Sequence, residues 1–276
     1  MRTILMAGAA MLCMVAASAA AEAGPAMASE PPNTSQAFDT NWPAYQAYRA
    51  GKYADAMKEG SAENTARGYA LAAAAAIGDA AEHIPPCLPC VQRAEDYAKK
   101  AIAADPKQAE GYIFYAVALG LDSHIIGTMS ALNKGYGSLS KTEIDKAIEL
   151  APNNGRALGT LGGWNLEVVR GAGSMLASMS YGASASKGIA AFEKAIAADP
   201  KDIVLHYQYA LSMAGLDTDE YHDQIVKQLT AAANGTPDTA YDALSQKRAA
   251  ELLGLLKAGK TDVFAAKVKA YQGFPA

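Results

Sequence analysis

Cys87 and Cys90 stand two residues apart in the run HIPPCLPC, which opens on His83, and that spacing suits three chemistries. The expected one is a structural disulfide that pins a Pro-rich loop at the start of a helix, as two thiols so placed do in an oxidising compartment. A redox-active pair is the second, because a helix N-terminus depresses a thiol pKa. Metal binding is the third: His83 adds a donor, but tetrahedral zinc takes four ligands or keeps one position open for catalysis. With three donors in view, no metal site and no cofactor are expected. A His does not follow Cys90, so covalent haem attachment is excluded, and no βαβ pattern surrounds the pair as in a thioredoxin.

Residues 254 to 261, GLLKAGKT, match the phosphate-loop pattern G-x-x-x-x-G-K-T letter for letter. That pattern cradles phosphate when a Gly-rich loop follows a strand. Here Leu255 to Ala258 belong in a helix, and Gly259-Lys260 reads as an inter-helix turn like Gly51-Lys52. His83, His124, His206 and His222 are scattered, none in His-Glu-x-x-His, and no Gly-x-Ser-x-Gly elbow supports a serine hydrolase. His206, six residues after Pro200, reads as a packing residue. An enzyme is not expected, for want of converging titratable groups. Trp164, Glu167 and Arg170 recur every three residues and share one helix face; either they look into a groove, or Trp164 is core while Glu167 and Arg170 form a helical ion pair. Tyr136 and His124, with Met129, Met175 and Met179, complete the candidate binding set, the methionines as an adaptable apolar lining.

Prolines set the elements that must position these residues. Pro lacks an N–H and clashes with the preceding turn, so it stops one helix and is tolerated in the first turn of the next. Pro106, Pro152 and Pro200 each have a small residue five before them (Ala101, Ala147, Ala195) and ten after them (Ala116, Gly162, Ala210). Small residues let helices approach closely, and a lone hairpin cannot bury its own apolar face, so such hairpins must stack. The pattern resembles the tetratricopeptide-repeat family. It predicts an all-α, right-handed solenoid of antiparallel helical hairpins over residues 42–274. Pro106, Pro152, Pro200 and Pro237 lie 46, 48 and 37 residues apart, against about 34 in a standard repeat. Two repeats are therefore over-long, the first around Asp122 to Gly137. Gly155, Gly159 and Gly163 form a side-chain-free stripe suited to a close helix neighbour. Residues 219–274 read as a capping pair with Lys and Arg toward solvent.

Leu161, Gly162, Trp164, Glu167 and Val168, followed by Ala190, Phe192, Lys194 and Ala195, resemble the regulator-of-microtubule-dynamics subgroup of tetratricopeptide proteins over about residues 123 to 215. A weaker likeness is to tetratricopeptide components of periplasmic transporters. The resemblance implies the helical-repeat fold and little about activity.

Residues 1–28, with one basic residue at Arg2 and an apolar run to about Ala17, read as a cleaved secretory signal, and 29–41 as a polar lead-in. The protein is expected in the periplasm, where it cannot meet cytosolic microtubules. The composition, 51% hydrophobic and 19% charged, suits stacked helices. Net charge is −4 with 24 basic and 28 acidic residues intermixed, which excludes a basic stripe for nucleic acid. No later apolar run reaches the ~18 residues of a membrane span. The expected function is a protein-interaction scaffold whose concave groove takes an unidentified protein or peptide. The alternative is a periplasmic carrier or transporter accessory holding a small apolar ligand inside the solenoid.

Overall fold

Each turn proline falls in a short connection between helices in the computed structural model, which describes residues 39–275. Pro106 joins α4 (Leu88–Ala104) to α5 (Ala109–Ile126), Pro152 joins α7 (Tyr136–Leu150) to α8 (Gly155–Ala172), and Pro200 joins α10 (Ala185–Ala198) to α11 (Ile203–Leu216). Two of the three proline carbonyls accept a side-chain donor. Tyr112 donates its hydroxyl to the Pro106 oxygen at 3.1 Å, and His206 Nε2 donates to that of Pro200 at 3.2 Å; each donor sits six residues after its proline. Side-chain caps start two of the following helices, α8 and α11: Asn154 accepts from the Arg156 and Ala157 amides, and Asp202 from that of Leu205.

The other helices are α1 (Pro43–Arg49), α2 (Tyr53–Ala62), α3 (Ala66–Glu82), α6 (Thr128–Asn133), α9 (Ser174–Leu176), α12 (His222–Ala233), α13 (Ala240–Lys257) and α14 (Thr261–Tyr271). No strand occurs among the described residues. Helices pack on their neighbours in the chain, and corresponding helices of successive hairpins also touch: α3 with α5, α5 with α8, α8 with α11, α11 with α13. The result is an all-α solenoid with two layers. The inner layer is α3, α5, α8, α11 and α13; α4, α7, α10 and α12 back it. α5 and α11 bury apolar residues around most of their circumference, as helices covered on both sides must.

Small residues set how closely the layers meet. A Cβ on Gly68 of α3 would lie 2.2 Å from the Gly60 carbonyl oxygen of α2, so that crossing is backbone against backbone. On α8, Gly159 faces Leu205, while Gly162 faces the Phe192 ring at a distance that leaves no room for a Cβ. The expected stripe is thus corrected at its last member. Gly163 meets nothing nearer than 3.8 Å, because a helix advances 3.6 residues per turn and a four-residue repeat drifts off the contact line.

Both over-long repeats hold an inserted short helix between left-handed glycines. α6 lies between Gly127 (φ +85°) and Gly135 (φ +69°). α9 continues into a π-helical turn, Ala177–Tyr181, between Gly173 (φ +79°) and Gly182 (φ +64°). Without a Cβ the chain reverses there at little cost. Trp164 links the first turn of α7 to the second insertion: its indole N–H donates to the Gly137 carbonyl at 2.9 Å, and its ring meets Tyr181 edge-on.

The ends of the solenoid meet. α1 touches α13, Arg49 pairs with Asp238, and the Arg248 guanidinium donates to the Ala81 carbonyl at 2.6 Å. Arg248 corrects the expectation that the basic residues of the last helices face solvent: it is buried and lies 4.6 Å from the Tyr271 ring centre. Gly254 to Lys257 are helical, and Gly259 (φ +64°) with Lys260 forms the turn into α14. The signal assigned to residues 1–28 lies outside the described residues, as does the lead-in up to residue 38.

Candidate binding site

α8 exposes its Trp164, Glu167 and Arg170 face toward the inside of the closed solenoid, opposite the last turns of α5, which carry His124. Between them runs the segment that follows α14, Gln272 to Pro275. His124 Nδ1 meets the Gln272 carbonyl at 2.6 Å, and its Nε2 meets Glu167 Oε2 at 3.2 Å. Both partners are acceptors. Arg170 Nε donates to the same Glu167 oxygen at 2.7 Å. Glu167 Oε1 accepts from the Gln272 side-chain amide at 3.0 Å, and that amide also donates to the Leu211 carbonyl at 3.1 Å.

Gln272 enters because Gly215 of α11 leaves space: a Cβ there would lie 2.4 Å from its amide nitrogen. Gly273 takes φ +94° and lies against Pro86 of the cysteine-bearing loop. Phe274 then stacks on His124 and sits beneath the Arg170 guanidinium. Burial pushes the Glu167 carboxyl up, but the His124 hydrogen bond and the His124 and Arg170 charges outweigh it and hold the group below the ordinary carboxylate range.

Behind this segment lies a cavity of about 630 Å³. Its wall is mostly apolar, with Ile113, Val117 and Leu211 among its members, and Arg156 of α8 and Arg248 of α13 also line it. Arg156 faces Asp202 at 3.8 Å. Trp164, Glu167, Arg170, Tyr136, His124 and Met129 all border the cavity. Tyr136 donates its hydroxyl to buried Asp122 at 3.0 Å, and burial together with that bond raises its pKa. Met175 and Met179 do not border it; they are 79% and 80% exposed on the second insertion. Trp164 combines the two roles weighed for it, part of a buried cluster and part of the cavity wall. Cys87 and Cys90 are joined to each other.

Sequence reasoning missed Gln272, Phe274, Gly215 and Arg156. Only Gly215 carried a signal, as a glycine inside a helical run without a turn; the others depend on contacts between distant parts of the chain.

Residues 36–257 match the family model of the Regulator of microtubule dynamics protein 1-3. The chain belongs to that family. No curated protein matches it. Family membership reaches well beyond the stretch of about residues 123 to 215 on which the resemblance rested, and takes in α1 through α13. In this regulator of microtubule dynamics family member, α8 with its Leu-Gly-x-Trp-x-x-Glu-Val run is therefore the helix that presents Glu167 to the inner face, and the Gln272–Pro275 segment lies past the last matched residue. No helix among the described residues is long and apolar enough to cross a membrane.

Proposed function

We propose that the chain is a binding scaffold, not an enzyme, and that its inner face takes a short segment of a partner protein as it takes its own residues 272–275. The observation that carries this reading is the seating of Gln272 and Phe274 on His124, Glu167 and Arg170. One segment engages the inner face through a backbone carbonyl, a side-chain amide and an aromatic ring. The family's description concerns regulators of microtubule dynamics and supports a role exercised through protein contacts. Residues 1–28, read as an export signal, support an exported, periplasmic protein whose partner is not a microtubule.

A chain shortened to end at Tyr271 tests the reading. A tethered segment competes at an effective concentration in the millimolar range, so the full chain is expected to ignore the same segment added in trans. The shortened chain is expected to bind a fluorescent peptide of sequence AYQGFPA, measured by polarisation, and to lose it with Arg170→Ala. Full-length Phe274→Ala, with its anchor removed but its length kept, is expected to bind it too. Two folded variants that leave the peptide free would sink the proposal.

A second reading rests on the cavity, whose volume falls within the roughly 300–1,000 Å³ of small-molecule sites. An apolar or amphipathic ligand would lie against Ile113, Val117 and Leu211. Native mass spectrometry of protein taken from its own host decides: a retained small mass supports the carrier, and a bare chain refutes it.

A further inference from the structure

Asp79 and His83 lie one helical turn apart where α3 ends, and Cys90 lies in the first turn of α4. A carboxylate oxygen, a ring nitrogen and the Cys90 sulfur come within 4.8 Å of one another there. Cys87, whose sulfur is bonded to that of Cys90, stands beside these three as the fourth donor once the bond is opened. His83, Cys87 and Cys90 alone fall one short of a closed tetrahedral set; Asp79 supplies the missing ligand.

We propose that Asp79, His83, Cys87 and Cys90 form a redox-gated zinc site, empty in the disulfide form and loaded in the dithiol form. Tetrahedral zinc with sulfur at about 2.3 Å and nitrogen or oxygen at about 2.0–2.2 Å sets donor separations of about 3.4–3.8 Å. The spread of Asp79, His83 and Cys90 reaches roughly an ångström beyond that, and loading draws them in together with the Cys87 sulfur freed from the disulfide. The Cys87 and Cys90 Cα atoms are 5.2 Å apart, within reach of two sulfurs on one ion.

The surroundings favour the thiolates that zinc needs. Cys87 caps α4, its sulfur accepting the Cys90 amide at 3.1 Å, so both sulfurs lie at the positive end of a helix. The Arg93 guanidinium lies 3.9 Å from the Cys90 sulfur. Two thiolates and one carboxylate exceed the ion's charge by a single negative unit, which Arg93 offsets.

The exchange balances. A dithiol reductant gives two electrons and two protons to the Cys87–Cys90 bond and itself becomes a disulfide, leaving two thiols on the protein. Zn²⁺ then displaces both thiol protons as two zinc–sulfur bonds form, and the Asp79 carboxylate and a neutral His83 nitrogen complete the set. Exchange with a disulfide oxidant reverses these steps and frees the ion.

The test uses the whole chain in both redox forms. Reduced protein titrated with Co²⁺ under anaerobic conditions is expected to give thiolate-to-cobalt charge-transfer bands and tetrahedral visible bands that saturate at one ion per chain and vanish when Zn²⁺ is added. The oxidised protein is expected to give none. X-ray absorption of the zinc form should count two sulfur and two nitrogen or oxygen neighbours. Asp79→Asn and His83→Gln should each weaken zinc at least about tenfold in competition with a chromophoric chelator, and Cys87→Ser should abolish the cobalt bands. Equal metal uptake by the two redox forms overturns the proposal. So does unchanged affinity in both Asp79→Asn and His83→Gln, because the thiolates alone would then hold the ion.

Discussion

The ring of Phe274 lies stacked on the imidazole of His124, with centroids 4.2 Å apart and planes 27° from parallel. Phe274 lies beyond the last helix and His124 on α5, and the Arg170 guanidinium from α8 lies 4.3 Å from the same ring centre. One aromatic side chain therefore ties three parts of the solenoid together at the mouth of its cavity.

The Arg170–Phe274 contact is expected to show a coupling energy of about 0.5–1 kcal/mol, the usual size for a half-exposed cation over a ring. A double-mutant cycle with Arg170→Ala and Phe274→Ala, read by denaturant unfolding, measures it. Strict additivity would mean that the ring is held by His124 alone.

Acid should release the segment. The Glu167 carboxyl is held below its ordinary value near 4.5, so its contribution is present above that value and is lost as pH falls through the lower, folded one. Trp164, one turn before Glu167 on α8, reports on this in a Trp42→Phe background that leaves a single indole. Its emission is expected to change below about pH 4.5, and Glu167→Gln is expected to remove that step.

Adjacent glycines on α8 should respond with opposite signs. Gly162→Ala drives a methyl into the Phe192 ring, where a Cβ would stand 2.5 Å from the nearest ring carbon; overpacking of this kind costs about 1–3 kcal/mol. Gly163→Ala meets nothing inside 3.8 Å and is expected to stabilise by up to about 1 kcal/mol through helix propensity. Paired thermal melts check both signs.

Glu95, buried on α4, titrates the other way from Glu167. Burial, with Asp122 beside it, raises its pKa against the pull of Lys99, so its contribution is complete below the unfolded value and is lost as pH rises through the folded one. The melting temperature of Glu95→Gln relative to the natural chain is therefore expected to climb between pH 4 and pH 8. A constant difference across that range would contradict the sign.

Much of the architecture was legible because it is written locally. Proline position and the small residues around it act within one or two turns of helix, and they mark the hairpins without reference to the rest of the chain. The face of α8 was legible for the same reason: Trp164, Glu167 and Arg170 share it by helical spacing alone. Arg248 and Gln272 were not legible. Their partners, Ala81, Glu167 and Leu211, come near only through the accumulated curvature of five inner helices, and no window of sequence contains that sum. Met175 and Met179 failed differently. Apolar character suggested a lining, but the second insertion carries both outward, Met175 on α9 and Met179 on the π-helical turn, and so short an element has no hydrophobic period to read.

An open helical array can fray, shedding terminal hairpins one at a time because each leans only on its neighbour. Here Arg49 reaches Asp238, and Arg248 reaches the Ala81 carbonyl, so the first hairpin cannot peel away without releasing the last. Closure turns a linear chain of nearest-neighbour couplings into a loop of them, and loosening begins only where two interfaces give way together.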